Sequence, residues 1–277
     1  MVTAEGNYKY KPLQFFLIAY VITWACWLTA GYLSYHPTAN SAVLISVLEP
    51  AGLFGPFIAA LFLIFTSGSP LLKKEYLRKI IDLRTIGLSS LLIAVLLLPL
   101  VDYISIVASW LFFGKSMGQL ALSNAAAFSA GMLPAPVMLF APALLEELGW
   151  KGYGMDSLRG NRTFFTATLI YAVIWALWHT PLFFINGYFH NLMLRANPLF
   201  ALNFYISVIP MAFISNWLWH RCKGNILVAV ILHGMVNTQG LIQMSQTAKF
   251  IQTGALLVVA GVIVWREHSL FSIKPNI

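Results

Sequence analysis

Charge is what this sequence has least of. Only 9% of its 277 residues are Asp, Glu, Lys or Arg, against roughly 25% in a soluble globular domain. That scarcity excludes an ordinary soluble fold. Cysteine is nearly absent too: Cys26 sits inside an apolar run and Cys222 in a short basic connection. Two such residues cannot supply a disulfide framework or a paired-cysteine metal motif. Internal repeats and low-complexity tracts are also lacking. The net charge of +8 would suit a nucleic-acid partner, but its distribution between the apolar runs says otherwise.

What fills the chain instead is apolar. Hydrophobic residues make up 59% of it and gather into runs of about 18–25 residues, the length that crosses a hydrocarbon core. Eight runs stand out, at 13–33, 43–66, 87–112, 131–157, 164–186, 199–219, 225–245 and 249–265. The sequence therefore predicts an all-α, polytopic membrane helix bundle, one transmembrane domain over 1–277. With the N-terminus inside, the outer segments hold only Lys115, Arg195 and Lys249 of the 17 Lys and Arg residues. By the positive-inside rule both termini are then cytoplasmic, and the basic charge is an orientation signal. Lys9 and Lys11 precede the first run as in a secretory leader, but the run is long and no small-residue cleavage site follows, so it reads as a mature helix. Segment 67–86, where cations alternate with Leu, Tyr and Ile, reads either as an amphipathic helix on the anionic leaflet or as a basic loop.

Against this background the stretch PALLEELGWKGYG, residues 142–154, stands out. It puts Glu146 and Glu147 at the end of an apolar run, where an uncompensated carboxylate costs several kcal/mol. Pro142 lies one turn earlier and should kink the helix. Gly149, Gly152 and Gly154 suit close helix approach. Glu49 and Asp102 are the other carboxylates inside runs, and His179 and His233 the histidines. His36, His190, His220 and His268 fall in connections or at ends and read as solvated or interfacial.

Depth draws some of these residues together. At 1.5 Å per residue, Glu146 lies roughly 18 Å above the inner end of its helix, His179 about 22 Å, and His233 and Asn237 about 12 and 18 Å. His233 and Asn237, like Trp175 and His179, are four apart and share a helix face. Glu147 is four residues before Lys151, the favourable order for an ion pair. That pair would neutralise Glu147 and leave Glu146 to face the site.

Three motifs in order, EELGWK (146–151), WALWH (175–179) and HGMVN (233–237), resemble those of the CPBP family of intramembrane proteases. The family's usual forms are EExxxR, an aromatic residue four before a His, and HxxxN. It includes the type II CAAX prenyl proteases and bacterial bacteriocin-processing or self-immunity proteins. The resemblance covers a core of about 131–245. Lys151 stands where Arg is usual, keeping the charge but losing the planar two-pronged donor, and Trp175 stands where Phe is commoner.

The resemblance implies an intramembrane endopeptidase with Glu146, His179, His233 and Asn237 catalytic and Glu147, Lys151 and Trp175 supporting them. A desolvated Glu146 suits a general base. His179 can orient the attacking water, and His233 and Asn237 can stabilise the oxyanion. Two cofactor readings stay open: a Zn²⁺ ion held by Glu146, His179 and His233, or a metal-free glutamate mechanism. The implied partners are membrane lipid and a membrane-associated peptide or protein, either prenylated and CAAX-type or of bacteriocin or pheromone type. No nucleic acid is implied. A multi-pass protein of a prokaryotic plasma membrane is the expected setting. Neither a GxSG serine, nor HExxH, nor paired aspartates at GxGD is present, and GYGMDS (152–157) lacks the context of a phosphate-binding loop. A proton-coupled transporter using Glu49, Asp102 and Glu146, and a non-catalytic scaffold for a lipidated partner, are the competing classes.

Overall fold

The computed structural model describes residues 8–121, 135–160 and 162–274. Its elements are helices throughout: α1 (Pro12–Tyr35), α2 (Ser41–Gly52), α3 (Phe54–Phe65), α4 (Pro70–Ile81), α5 (Leu88–Phe113), α6 (Ala135–Gly149), α7 (Met155–Arg159), α8 (Phe164–Trp178), α9 (Phe189–Ala196), α10 (Pro198–Arg221), α11 (Ile226–Asn237), α12 (Gln246–Arg266) and α13 (His268–Ser272). A π-helical turn, Trp150–Gly154, joins α6 to α7, and a 3₁₀ turn, Thr180–Phe184, continues α8. Helices are what a membrane demands, because each segment must satisfy its own backbone there.

Five helical spans among the described residues are long and apolar enough to cross a membrane: α1, α5, α8 with its 3₁₀ extension, α10 and α12; the pair α2 and α3, bent by 46°, makes a sixth if it is one span. The expected count of eight is therefore not reached by length. The run at 131–157 begins with residues 131–134, outside the described residues, and its helix passes into the π turn. The run at 225–245 stops as an α-helix at Asn237, where Thr238, Gln239 and Gly240 take the chain into a 3₁₀ turn. Large apolar side chains crowd the outside, with Phe112 77%, Leu88 73% and Trp265 73% exposed. A surface this apolar belongs against lipid, and the chain is an integral membrane protein.

The bend between α2 and α3 follows from proline. The Gly52 carbonyl would accept from residue 56 in a continuous helix, but Pro56 has no N–H. Thr23 of α1 supplies the missing donor, its Oγ1 2.7 Å from the Gly52 oxygen, and Trp27 Nε1 donates to the Glu49 carbonyl at 2.8 Å. Gly55 lets α1 come this close, since a Cβ there would sit 2.2 Å from Thr23 Oγ1.

Segment 67–86 resolves in favour of a helix, α4, capped by Ser69 accepting from the Leu72 amide. It docks on protein as well as facing outward. Leu72, Tyr76 and Lys79 are buried, and Lys79 pairs with Asp156 just below the π turn. Asn225, the N-cap of α11, donates to the Asp82 carbonyl at 2.9 Å. The floor of the bundle is thus tied to α7, just after the first motif, and to α11, which carries the third.

Candidate active site

The π turn decides where the motif side chains go. Its wider i→i+5 bonding rotates the following residues off the i,i+4 register of an α-helix. The turn packs tightly on its neighbours, as its glycines promised. A Cβ would lie 2.3 Å from the Pro56 backbone at Gly149, 2.6 Å from the Tyr76 ring at Gly152 and 2.7 Å from the Phe15 ring at Gly154.

Glu146 is 4% exposed and is held by two indoles. Trp175 Nε1 of α8 donates to its Oε2 at 3.1 Å, and Trp150 Nε1 of the π turn donates to the same oxygen at 3.4 Å. Two N–H donors on one oxygen are what allow a carboxylate to persist at this depth. The sequence predicts a Glu146 free to face the site with Trp175 in a supporting place; here Trp175 grips the carboxylate directly.

Glu147 is fully buried, and its Oε1 lies 3.0 Å from His233 Nδ1 on α11. The approach depends on Gly234, where a Cβ would fall 2.2 Å from the Phe140 ring of α6. With Glu147 accepting at Nδ1, the other ring nitrogen of His233 is the one left for chemistry.

The expected Glu147–Lys151 ion pair is a correction. Lys151 is fully buried, but its Nζ donates to Asn216 Oδ1 of α10 and sits 4.3 Å from the centre of the Tyr171 ring. Asn216 passes the chain on to Thr168 Oγ1 at 3.2 Å. The physical reason is competition from other helices: Asn216 of α10 takes the ammonium, and His233 of α11 takes Oε1 of Glu147.

His179 ends α8. Its Nδ1 lies 2.8 Å from the Trp175 carbonyl, and because a carbonyl only accepts, Nδ1 carries the proton and Nε2 a lone pair. The Trp175 ring lies 5.4 Å from that of His233 and 6.1 Å from that of His179. One indole therefore touches the carboxylate and both imidazoles. His179 is partly exposed while Glu146 and His233 are buried, which puts the way in on the His179 side.

Asn237 is half-buried and donates from Nδ2 to the Leu139 carbonyl at 2.8 Å, three residues before Pro142 in α6. It thus fastens α11 to α6 with one amide N–H. Asp102 is buried and accepts from Gln252 and from Gln239 at 3.3 Å. It clamps α12 and the turn after α11, and joins neither Glu146 nor Glu49. Glu49 lies at the α2–α3 break, half-buried, with no hydrogen bond or ion pair to its carboxylate among the described residues. Among the described residues no hydrogen bond joins any two of the three carboxylates that the transporter reading would use.

Sequence reasoning missed His190. Placed with the loop histidines, it is in fact 9% exposed and nearly parallel to His179, ring centres 6.2 Å apart. The signal was the aromatic cluster Tyr188-Phe189-His190, an odd start for a solvated loop.

Zinc needs three convergent ligands here. Among the described residues no group of three His, Cys, Asp or Glu side chains is placed to hold a metal ion. On Glu146 the two indole N–H groups meet the oxygen that a cation would want. Glu146, His179 and His233 as arranged do not fit a zinc site.

Comparison with known proteins agrees with the motifs. The family model described as type II CAAX prenyl endopeptidase Rce1-like matches residues 127–239. A protein of Methanococcus maripaludis named CAAX prenyl protease 2 is 34% identical over 267 residues, covering 96% of this chain and 97% of its own length. Agreement of that extent carries the helices outside the motifs as well as those bearing them, and the chain belongs to the family of type II CAAX prenyl endopeptidases.

Proposed function

We propose that this chain is an intramembrane endopeptidase that hydrolyses a peptide bond near the C-terminus of a membrane-associated, prenylated CAAX-type substrate. One observation supports it above the rest: a buried carboxylate, Glu146, fixed by two indole donors beside two imidazoles whose Nδ1 atoms are already engaged. Both rings then offer Nε2, the atom that could exchange a proton with a reacting group. The match over 127–239 supports taking 131–245 as the catalytic core within a single transmembrane domain.

Hydrolysis follows from these positions. Glu146 removes a proton from the attacking water while His179 Nε2 accepts its second hydrogen bond and aims it. The water oxygen adds to the scissile carbonyl, and His233, protonated on both nitrogens with its Nδ1–H held by Glu147, donates from Nε2 to the oxygen that becomes negative. The proton on Glu146 goes to the departing amine as the C–N bond breaks. Asn237 keeps α11 seated on α6, and its second amide N–H is available to the oxyanion. Trp175 and Trp150 hold Glu146 in line, and Lys151 braces the π turn. The chemistry is metal-free in this reading.

The charge pattern supports cytoplasmic termini, and a prokaryotic plasma membrane is the setting the archaeal relative favours. The test is mass spectrometry of matched peptides, farnesylated and unmodified, after incubation with purified protein in detergent. Release of a short C-terminal peptide from the farnesylated form alone is the expected result. Equal cleavage of both forms would move the substrate to the bacteriocin or pheromone type, and cleavage of neither would reject the peptidase reading.

A further inference from the structure

His190 is an expensive residue to keep unpaired. It is nine-tenths buried, and neither Nδ1 nor Nε2 has a hydrogen-bond partner among the described residues. Leaving a buried donor or acceptor unsatisfied costs about 1–3 kcal/mol each, and a neutral imidazole carries one of each. The ring is caged by aromatics: Phe204 at 4.5 Å, Phe183 at 5.0 Å, Phe189 at 5.5 Å and Tyr188 at 5.7 Å between centres. None of those four is arranged to satisfy it. On the open side lies His179, 6.2 Å away and within 19° of parallel, and Phe204 meets both rings edge-on.

A peptide entering the membrane has the complementary problem. Its backbone N–H and C=O groups lose water and need partners. An unpaired donor and acceptor beside the reacting centre, within an apolar cage, match one peptide unit and the apolar side chain next to it. We infer that His190 is a substrate-contacting residue, hydrogen-bonding one backbone peptide unit adjacent to the scissile bond while Phe183, Tyr188 and Phe204 receive the neighbouring apolar side chain. The inference rests on the peptidase reading above and adds to it a specific binding position, beside His179.

The experiment pairs two variants with an ester scan. His190→Phe keeps the ring and removes both polar atoms; His190→Asn keeps one donor and one acceptor. Substrates are the farnesylated peptide and versions in which each backbone amide flanking the scissile bond is replaced in turn by an ester. His190→Phe should lower kcat/KM about tenfold to a hundredfold at a melting transition no lower than that of the wild type, with His190→Asn recovering most of the activity. One ester should cost the wild type about tenfold and cost His190→Phe nothing, a coupling that a merely structural residue would not produce. Wild-type kcat/KM in His190→Phe, or the same ester penalties in both proteins, overturns the inference. If His190→Phe does not fold, the scan on the wild type decides: no ester costing more than about twofold overturns it too. Wild-type protein that cleaves none of the peptides removes the peptidase reading, and this inference with it.

Discussion

Trp175 Nε1 donates to Glu146 Oε2 across 3.1 Å, from one motif helix to another. The same indole lies against His233 and one helical turn from His179. The three motifs therefore meet on a single side chain, and replacing it separates donor from packing. Trp175→Phe keeps the packing and removes one charge-assisted hydrogen bond, worth about 1.5–3 kcal/mol. In purified protein kcat should fall about tenfold or more with little change in KM. An unchanged kcat would mean that the indole only fills space.

Glu147 Oε1 holds His233 Nδ1 at 3.0 Å, and in the proposed reaction it acts only through that ring. Glu147→Gln can still accept at Nδ1 but loses its charge, so kcat should drop about a hundredfold, the scale seen when a carboxylate behind a working histidine is neutralised. Thermal melting in detergent should stay near the wild type. Loss of the melting transition together with activity would assign Glu147 to folding.

Gly234 sets the distance between α6 and α11. Gly234→Ala places a methyl group 2.2 Å from the present Phe140 ring position, so α11 must back away and the His233–Glu147 bond must stretch. Activity should fall by about a hundredfold and stability by about 1–3 kcal/mol. The double change Gly234→Ala with Phe140→Ala makes room again and should recover activity. Failure of the second substitution to rescue would remove close approach as the reason for the glycine.

Lys151 belongs energetically with Asn216. In a double-mutant cycle built from Lys151→Met and Asn216→Leu, melting should show a coupling of about 1–3 kcal/mol. Lys151→Arg, which restores the family's usual residue, should bring no gain in activity, because the site is packed for a single ammonium between Asn216 and Tyr171. A rise in kcat with Arg would revive the ion pair with Glu147.

Much of this was legible in the residues. Apolar runs gave the helices because length and composition alone decide what can cross a membrane. Motif spacing brought Glu146, His179 and His233 to one level because an α-helix converts residue number into depth. Three things escaped. The partners of Lys151 and Glu147 stand on α10 and α11, far along the chain, so arithmetic of four residues paired the two with each other wrongly. His190 escaped because its burial comes from α9 folding back over the end of α8, a tertiary event that a connection read residue by residue does not announce. The span at 225–245 was overlong for a related reason: hydropathy averaged across Asn237 and Gln239, whose amides tie to the Leu139 carbonyl and to Asp102.

Metal dependence separates the two cofactor readings. Incubation with a strong chelator followed by desalting should leave cleavage of the farnesylated peptide within about twofold of the untreated rate, since two indole donors rather than a cation hold the carboxylate. Loss of activity that returns on adding Zn²⁺ would favour the metal reading.

Glu146→Gln keeps the size of the side chain and an oxygen for the indoles while removing the base. Single-turnover cleavage of the farnesylated peptide by this variant, measured against the wild type at equal fold stability, should be slower by about a thousandfold or more, the scale on which loss of a general base tells. A rate within tenfold of the wild type would contradict a water activated by this carboxylate.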